Sequence, residues 1–216
     1  MTGTPSEPLQ AAPGVYVATQ TGEPDPGLLT AHDRAGAARL PAWRARHRLL
    51  GRSALRRVLA ARFPEAAAAD VVHGHHGRPE LAGWPRIGIS VSHDQDTGAA
   101  CAARGHAVGV DVQYPPDRLS DSLLRRCLGD HAAALDPMPR RSRATEFAWV
   151  WTVQESCVKA AGTGMSGRPW TIGVPPFTRR GTWDGYRWVS LREQSPLPLS
   201  CAFAELPAAP THQEAP

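Results

Sequence analysis

Trp151-Thr152-Val153-Gln154-Glu155-Ser156-Cys157-Val158-Lys159-Ala160-Ala161-Gly162 is the stretch from which the rest of the chain can be read. Trp151, Glu155 and Lys159 follow an i, i+4, i+8 spacing and so share one face of a helix. Phe147, Val150, Val153, Val158, Ala160 and Ala161 cover most of the remaining circumference, which predicts a largely buried helix over Ala144 to Ala161. Gly162 and Gly164 end it with the residue type that a left-handed C-cap favours. Lys159 is the single lysine among 24 Lys plus Arg. Either it is a chance survivor of an arginine-biased composition, or it marks a place where a compact ammonium is needed and a planar guanidinium will not serve. Glu155 and Lys159 likewise admit two readings, a plain i, i+4 ion pair or two members of a site.

Upstream, Val108-Gly109-Val110-Asp111-Val112-Gln113 alternates with period two, so the valines face one way and Gly109, Asp111 and Gln113 the other. An unpaired carboxylate in such a strand costs roughly several kcal/mol, so Asp111 needs a cation, a hydrogen-bond cluster or water; a structural ion pair would also satisfy it. Before it, Ile87 to Ser92 alternates and ends at His93-Asp94, and a turn over Gln95 to Gly98 leads to Ala99 to Ala103. Three consecutive antiparallel strands are the economical reading of Ile87 to Gln113. A first strand is predicted over Gly14 to Thr19. Leu28 to Phe63 reads helical, divided by Pro41. In its longer part Arg44, Arg48 and Arg52 form a stripe beside Leu50, Ala54 and Val58. That stripe reads as the solvated face of an amphipathic helix, with a few arginines able to meet phosphate.

Val71 to Leu81 reads as a loop. Its His73, His75 and His76 show no helical spacing and no nearby carboxylate or thiolate cluster, so no metal site is expected there. A helix near Ser120 to Leu128, a loop over Asp136 to Arg143, and strands around Tyr186 to Leu191 and Leu199 to Ala204 complete the outline.

The 216 residues, 42% of them hydrophobic, suffice for one sizeable domain or two small ones sharing an interface. Residues 1 to 13 and 207 to 216 read as disordered tails. Met1 to Pro13 lacks the basic and apolar regions of a secretory leader, and no stretch is apolar enough for a membrane span. Cys101, Cys127, Cys157 and Cys201 are widely spaced, as reduced core thiols of a cytoplasmic protein would be. The net charge of +4 favours an acidic partner: nucleic acid, an acidic protein or a phosphorylated small molecule. An Arg-rich nucleic-acid-binding protein is the remote alternative, since the chain has no binding motif and few aromatics among its arginines. A strand carboxylate, a helix carboxylate and one ammonium match what magnesium-assisted phosphoryl transfer needs.

Ser92-His93-Asp94, Gly109-Val110-Asp111-Val112-Gln113 and the Trp151 to Gly162 stretch resemble, in order and spacing, the signature motifs of the 4'-phosphopantetheinyl transferases. Gly77-Arg78-Pro79 is similar to the Gly-Lys-Pro element that precedes them. The resemblance covers most of residues 15 to 206 and is nearest in length to the surfactin-type, monomeric branch. It implies an α+β, pseudo-twofold fold of two similar α/β halves, each with a small antiparallel sheet and a long helix. The halves would be residues 14–106 and 107–206, the second carrying the metal site, with coenzyme A in the cleft between them. The implied reaction moves the phosphopantetheine arm of coenzyme A to a serine of an acyl or peptidyl carrier protein. Asp111, Glu155 and Gln113 would hold Mg²⁺, Glu155 would help deprotonate the serine, and Lys159 would contact the diphosphate. Arg48, Arg78, Pro79, Ser92 and His93 would contact coenzyme A. Three departures from the family pattern stand out: Gln113 in place of glutamate, Gln154 in place of lysine, and Ala132 in place of glutamate. They favour a runner-up, a degenerate member that binds coenzyme A or a carrier but turns over poorly.

Overall fold

The structure, a computed structural model, describes residues 7–74 and 77–207. The strands are β1 (Leu9–Ala12), β2 (Val15–Thr21), β3 (Val71–His73), β4 (Pro79–Leu81), β5 (Ile87–Asp94), β6 (Thr97–Arg104), β7 (His106–Val112), β8 (Arg180–Trp183), β9 (Tyr186–Ser190) and β10 (Leu199–Glu205). The helices are α1 (Ala31–Ala37), α2 (Ala42–Arg62), α3 (Asp121–Leu128) and α4 (Arg140–Ala161). Two four-stranded antiparallel sheets run in the orders β1-β2-β6-β5 and β7-β10-β9-β8, and β3 with β4 forms a small hairpin. Both sheets contain the same sequence of events. A strand is followed by a long helix, and a hairpin then returns so that its last strand pairs with the first: β2, α2, β5, β6 in one and β7, α4, β9, β10 in the other.

Three apolar clusters follow from this order. One lies between α2 and its sheet, with Leu55, Val58, Leu59, Ile87 and Ile89. A second lies between α3, α4 and the other sheet, with Leu124, Phe147, Val150 and Val153. The third fills the space between the sheets, with Val15, Val17, Val108, Val110, Val112 and Phe203. Val108, Val110 and Val112 therefore face this shared core, as their alternation predicts, and Gly109 and Asp111 face α4. Leu50, Ala54 and Val58 are fully buried on α2. The four cysteines are free and buried, and burial pushes Cys127 up to about 11 and Cys157 up to about 12.

Several elements differ from their sequence-based outline. The strands over residues 87–112 are not one meander. β5 and β6 form a hairpin, but after Gly105 (φ +71°) the chain crosses to the other sheet, where β7 pairs with β10. Leu9–Ala12, read as part of a frayed tail, pairs with β2. α4 begins four residues early, at Arg140, because Pro139 serves as its N-cap, and only the composition of Asp136 to Arg143 resembles a loop. Val71 to Leu81 contains the β3–β4 hairpin, while His75 and His76 lie outside the described residues. β8, not anticipated, is joined to β9 through Asp184-Gly185, both at positive φ as a tight hairpin turn requires. Among the described residues no helix is long and apolar enough to cross a membrane.

Candidate active site

The site exists because α4 lies directly on β7. A Cβ on Gly109 would overlap the Ser156 carbonyl oxygen and the Ala160 nitrogen, so the strand has glycine where the helix backbone presses on it. Gly98 on β6 does the same for α2, where a Cβ would overlap the backbone of Leu50 and Gly51. Two residues beyond Gly109 on the same face, Asp111 reaches the end of Lys159. Lys159 Nζ donates to Asp111 Oδ1 at 2.6 Å and to Ser92 Oγ at 3.1 Å, and Ser92 Oγ itself donates to Asp111 Oδ1 at 2.6 Å. Glu155 Oε2 is 3.8 Å from the same ammonium. The lysine thus pairs more closely with the strand carboxylate than with its own helix neighbour.

These groups line a cavity of about 260 Å³ together with His93, Asp94, Gln113 and Trp151. Glu155 is held above its ordinary value, first by burial and then by repulsion from Asp111, with Lys159 opposing both. Two carboxylates sharing one ammonium leave a surplus of negative charge. A cavity with these oxygen donors suits a hard divalent cation.

His93 is shared with a second cavity of about 490 Å³, between α2 and β5. Its walls include Trp43, Arg44, His47, Arg48, Arg52, His73 and Pro79. The His47 and His93 rings stack at 4.9 Å, and Trp43 meets His47 edge-on at 5.7 Å. Partial burial, then His47, then Lys159 hold His93 below the ordinary histidine value. Arg48 Nε and Arg52 Nη1 are buried without a hydrogen-bond partner among the described residues. Burial brings Arg52 down to about 10, with Arg48 and Arg56 adding to the effect and Asp33 opposing it. Arg56 and Asp33 form a buried pair (Nε to Oδ2, 2.7 Å), and Arg52 sits 3.6 Å from the same carboxylate. Part of the arginine stripe is therefore not a solvated face: Arg52 is only 5% exposed. Cations with unsatisfied donors lining a cavity favour an anionic ligand.

Residues 107–197 match the family model of the 4'-phosphopantetheinyl transferase superfamily. This chain is similar to that superfamily over those residues, which carry Asp111, Glu155 and Lys159. It is also 31% identical over 153 residues to the L-aminoadipate-semialdehyde dehydrogenase-phosphopantetheinyl transferase of Eremothecium gossypii. That alignment covers 65% of the chain and 53% of the relative, so the chain spans about half the length of the curated relative it matches.

Of the residues singled out from sequence, Asp111, Glu155, Lys159, Ser92, His93 and Gln113 come together in one cavity, and Arg48 and Pro79 join His93 in the other. Arg78 lies apart, beside Gly162 at the end of α4, and faces a third cavity with Trp84 and His106. Gln154 and Ala132 bear on neither of the first two cavities. Gln154 is fully buried and its Nε2 donates to the carbonyls of Cys127 (2.7 Å) and Ile172 (2.8 Å), while Ala132 packs in the α3–α4 core. Trp43, His47, Arg52 and Asp94 were not anticipated as lining residues. The one available signal was that Trp43 and His47 repeat at i, i+4 immediately beside the arginine stripe.

Proposed function

We propose that the protein transfers the 4'-phosphopantetheine arm of coenzyme A to a serine of an acyl or peptidyl carrier protein and releases adenosine 3',5'-bisphosphate. The observation that carries this reading is the meeting of two unlike cavities at His93. The Arg- and Trp-lined one suits the phosphorylated adenosine end, and the acidic one suits the diphosphate with a cation. Asp111, Glu155 and Gln113 would hold Mg²⁺, which would supply charge neutralisation for the diphosphate. In the reaction the carrier serine Oγ bonds to the phosphorus bearing the pantetheine arm, the bond to the bridging diphosphate oxygen breaks, and that oxygen leaves with the nucleotide. Glu155, directly or through a water, accepts the serine proton, a role its raised affinity for protons suits. Lys159 offsets charge on the leaving oxygen. The net charge of +4 would favour encounter with acidic carriers.

The repeated order of strand, long helix and returning hairpin supports a pseudo-twofold relation between residues 14–106 and 107–206. It is in keeping with a monomeric, single-chain, cytoplasmic enzyme of the surfactin type. The alternative, a member that binds coenzyme A or a carrier with little turnover, now rests on Gln113 alone, because Gln154 and Ala132 are buried away from the site. Gln113→Glu adds a carboxylate to the cavity and is expected to lower the Mg²⁺ concentration for half-maximal rate several-fold, roughly threefold to tenfold. A Mg²⁺ titration of the variant that matched the parent would remove Gln113 from the ligand set. Lys159→Arg keeps the charge but replaces the compact ammonium that donates to both Asp111 Oδ1 and Ser92 Oγ with a longer planar fork, and is expected to lose about tenfold or more in turnover. Parental kcat in that variant would return the lone lysine to chance. The reading as a whole is tested by the mass of an apo carrier protein incubated with this protein, coenzyme A and Mg²⁺.

A further inference from the structure

β5 and β7 are outer strands of their respective sheets, and they lie against each other without a backbone ladder. Outward backbone donors on such strands need other partners. Here Ser90 of β5 supplies one, its Oγ accepting from the Val110 nitrogen at 3.1 Å, while Ser92, two residues on, donates instead to the Asp111 side chain on the same strand as Val110. Ser92 and Asp111 are 6% and 5% exposed, so this seam is largely closed to water.

The hydroxyl of Ser92 has one proton, and that proton is given to Asp111 Oδ1, while its oxygen accepts from Lys159 Nζ. Ser92 therefore has no donor left for a phosphate oxygen, although the family resemblance would have it contact coenzyme A. Among the described residues every hydrogen bond to the Asp111 carboxylate falls on Oδ1. From this we infer that Ser92 is a positioning residue. With Lys159 it pins Asp111 through Oδ1, so that Oδ2 alone is presented to the cation. The inference rests on the metal assignment proposed above. It gives each serine of the seam its own job: Ser90 joins the sheets, and Ser92 sets the angle of a ligand.

The test is direct binding of Mn²⁺ by electron paramagnetic resonance, and of coenzyme A without metal by calorimetry, in the full chain. Ser92→Ala is expected to weaken Mn²⁺ binding about tenfold to a hundredfold while coenzyme A affinity stays within about twofold, and Ser92→Thr, which restores the hydroxyl, recovers Mn²⁺ binding. Ser90→Ala, which cuts the seam without touching Asp111, is expected to lower the melting temperature but to leave Mn²⁺ affinity unchanged. A Ser92→Ala variant that lost coenzyme A affinity and kept Mn²⁺ affinity would overturn the inference. So would one that kept both, or a Ser90→Ala variant that lost Mn²⁺ affinity equally. If the parent protein itself bound no Mn²⁺, the metal reading would fail first and take this inference with it.

Discussion

Glu155→Gln should abolish most of the transfer activity, by about a thousandfold, while the protein becomes no less stable near neutral pH. The amide keeps the shape of the side chain but can neither accept the serine proton nor contribute charge to a cation. The stability half of the expectation follows from the direction of the Glu155 shift. Its carboxyl is held above the ordinary 4.5 by burial and by Asp111, so the folded chain carries the ionised form at a cost. For an acid whose folded pKa is raised, the folded state binds more protons than the unfolded one, and stability rises as pH falls from above the folded value toward 4.5. Near neutral pH the variant escapes that cost and should melt at or above the parent temperature. Below about pH 4.5, where Glu155 is protonated in both states, the two should converge. Thermal melts at the two pH values, alongside kcat, check both halves. A variant that melted well below the parent at neutral pH would mean that Lys159 outweighs burial and repulsion at this position.

The largest effect on folding is expected at Gly109. Gly109→Val places atoms where the Ser156 carbonyl and the Ala160 nitrogen already are. Both obstacles are helix backbone and neither can swing aside, so α4 must lift from β7, at a cost of about 3 kcal/mol or more. In a chain of this size that corresponds to a melting temperature lower by about 6–12 °C. Activity should fall further than stability, because Asp111 and Lys159 meet only while the helix stays down on the strand. Gly173 has no atom within 4 Å of where a Cβ would stand, so Gly173→Ala serves as the matched control and should melt like the parent. A Gly109→Val protein that melted within a degree or two of that control would contradict the close packing of α4 on β7.

The parts of this fold that could be read from sequence are those set by local rules. The apolar period of α2 and α4, the glycine C-cap at Gly162 (φ +73°) and the alternation through β5 and β7 all depend on neighbours within a few residues. The partner of β7 does not. Sequential strands usually pair, and only Gly105 hints that the chain leaves one sheet for the other. Arg52 was misread for a similar reason, because its buried carboxylate, Asp33, lies nineteen positions earlier on another helix. Gln154 was misjudged because it adjoins Glu155 in sequence, whereas one residue along a helix turns the side chain about 100° away. Asp111, Glu155 and Lys159 could be picked out because charged groups on apolar elements are conspicuous. Trp43, His47 and Arg52 could not, since on a surface helix such residues are unremarkable until a cavity forms beside them.

The most direct test of the account is the intact mass of apo carrier proteins, acyl and peptidyl, after incubation with this protein, coenzyme A and Mg²⁺. A gain equal to one phosphopantetheine arm on the carrier, absent with Glu155→Gln and without metal, is the predicted result. An unchanged carrier mass across the panel, from protein that binds coenzyme A and is correctly folded, would contradict it.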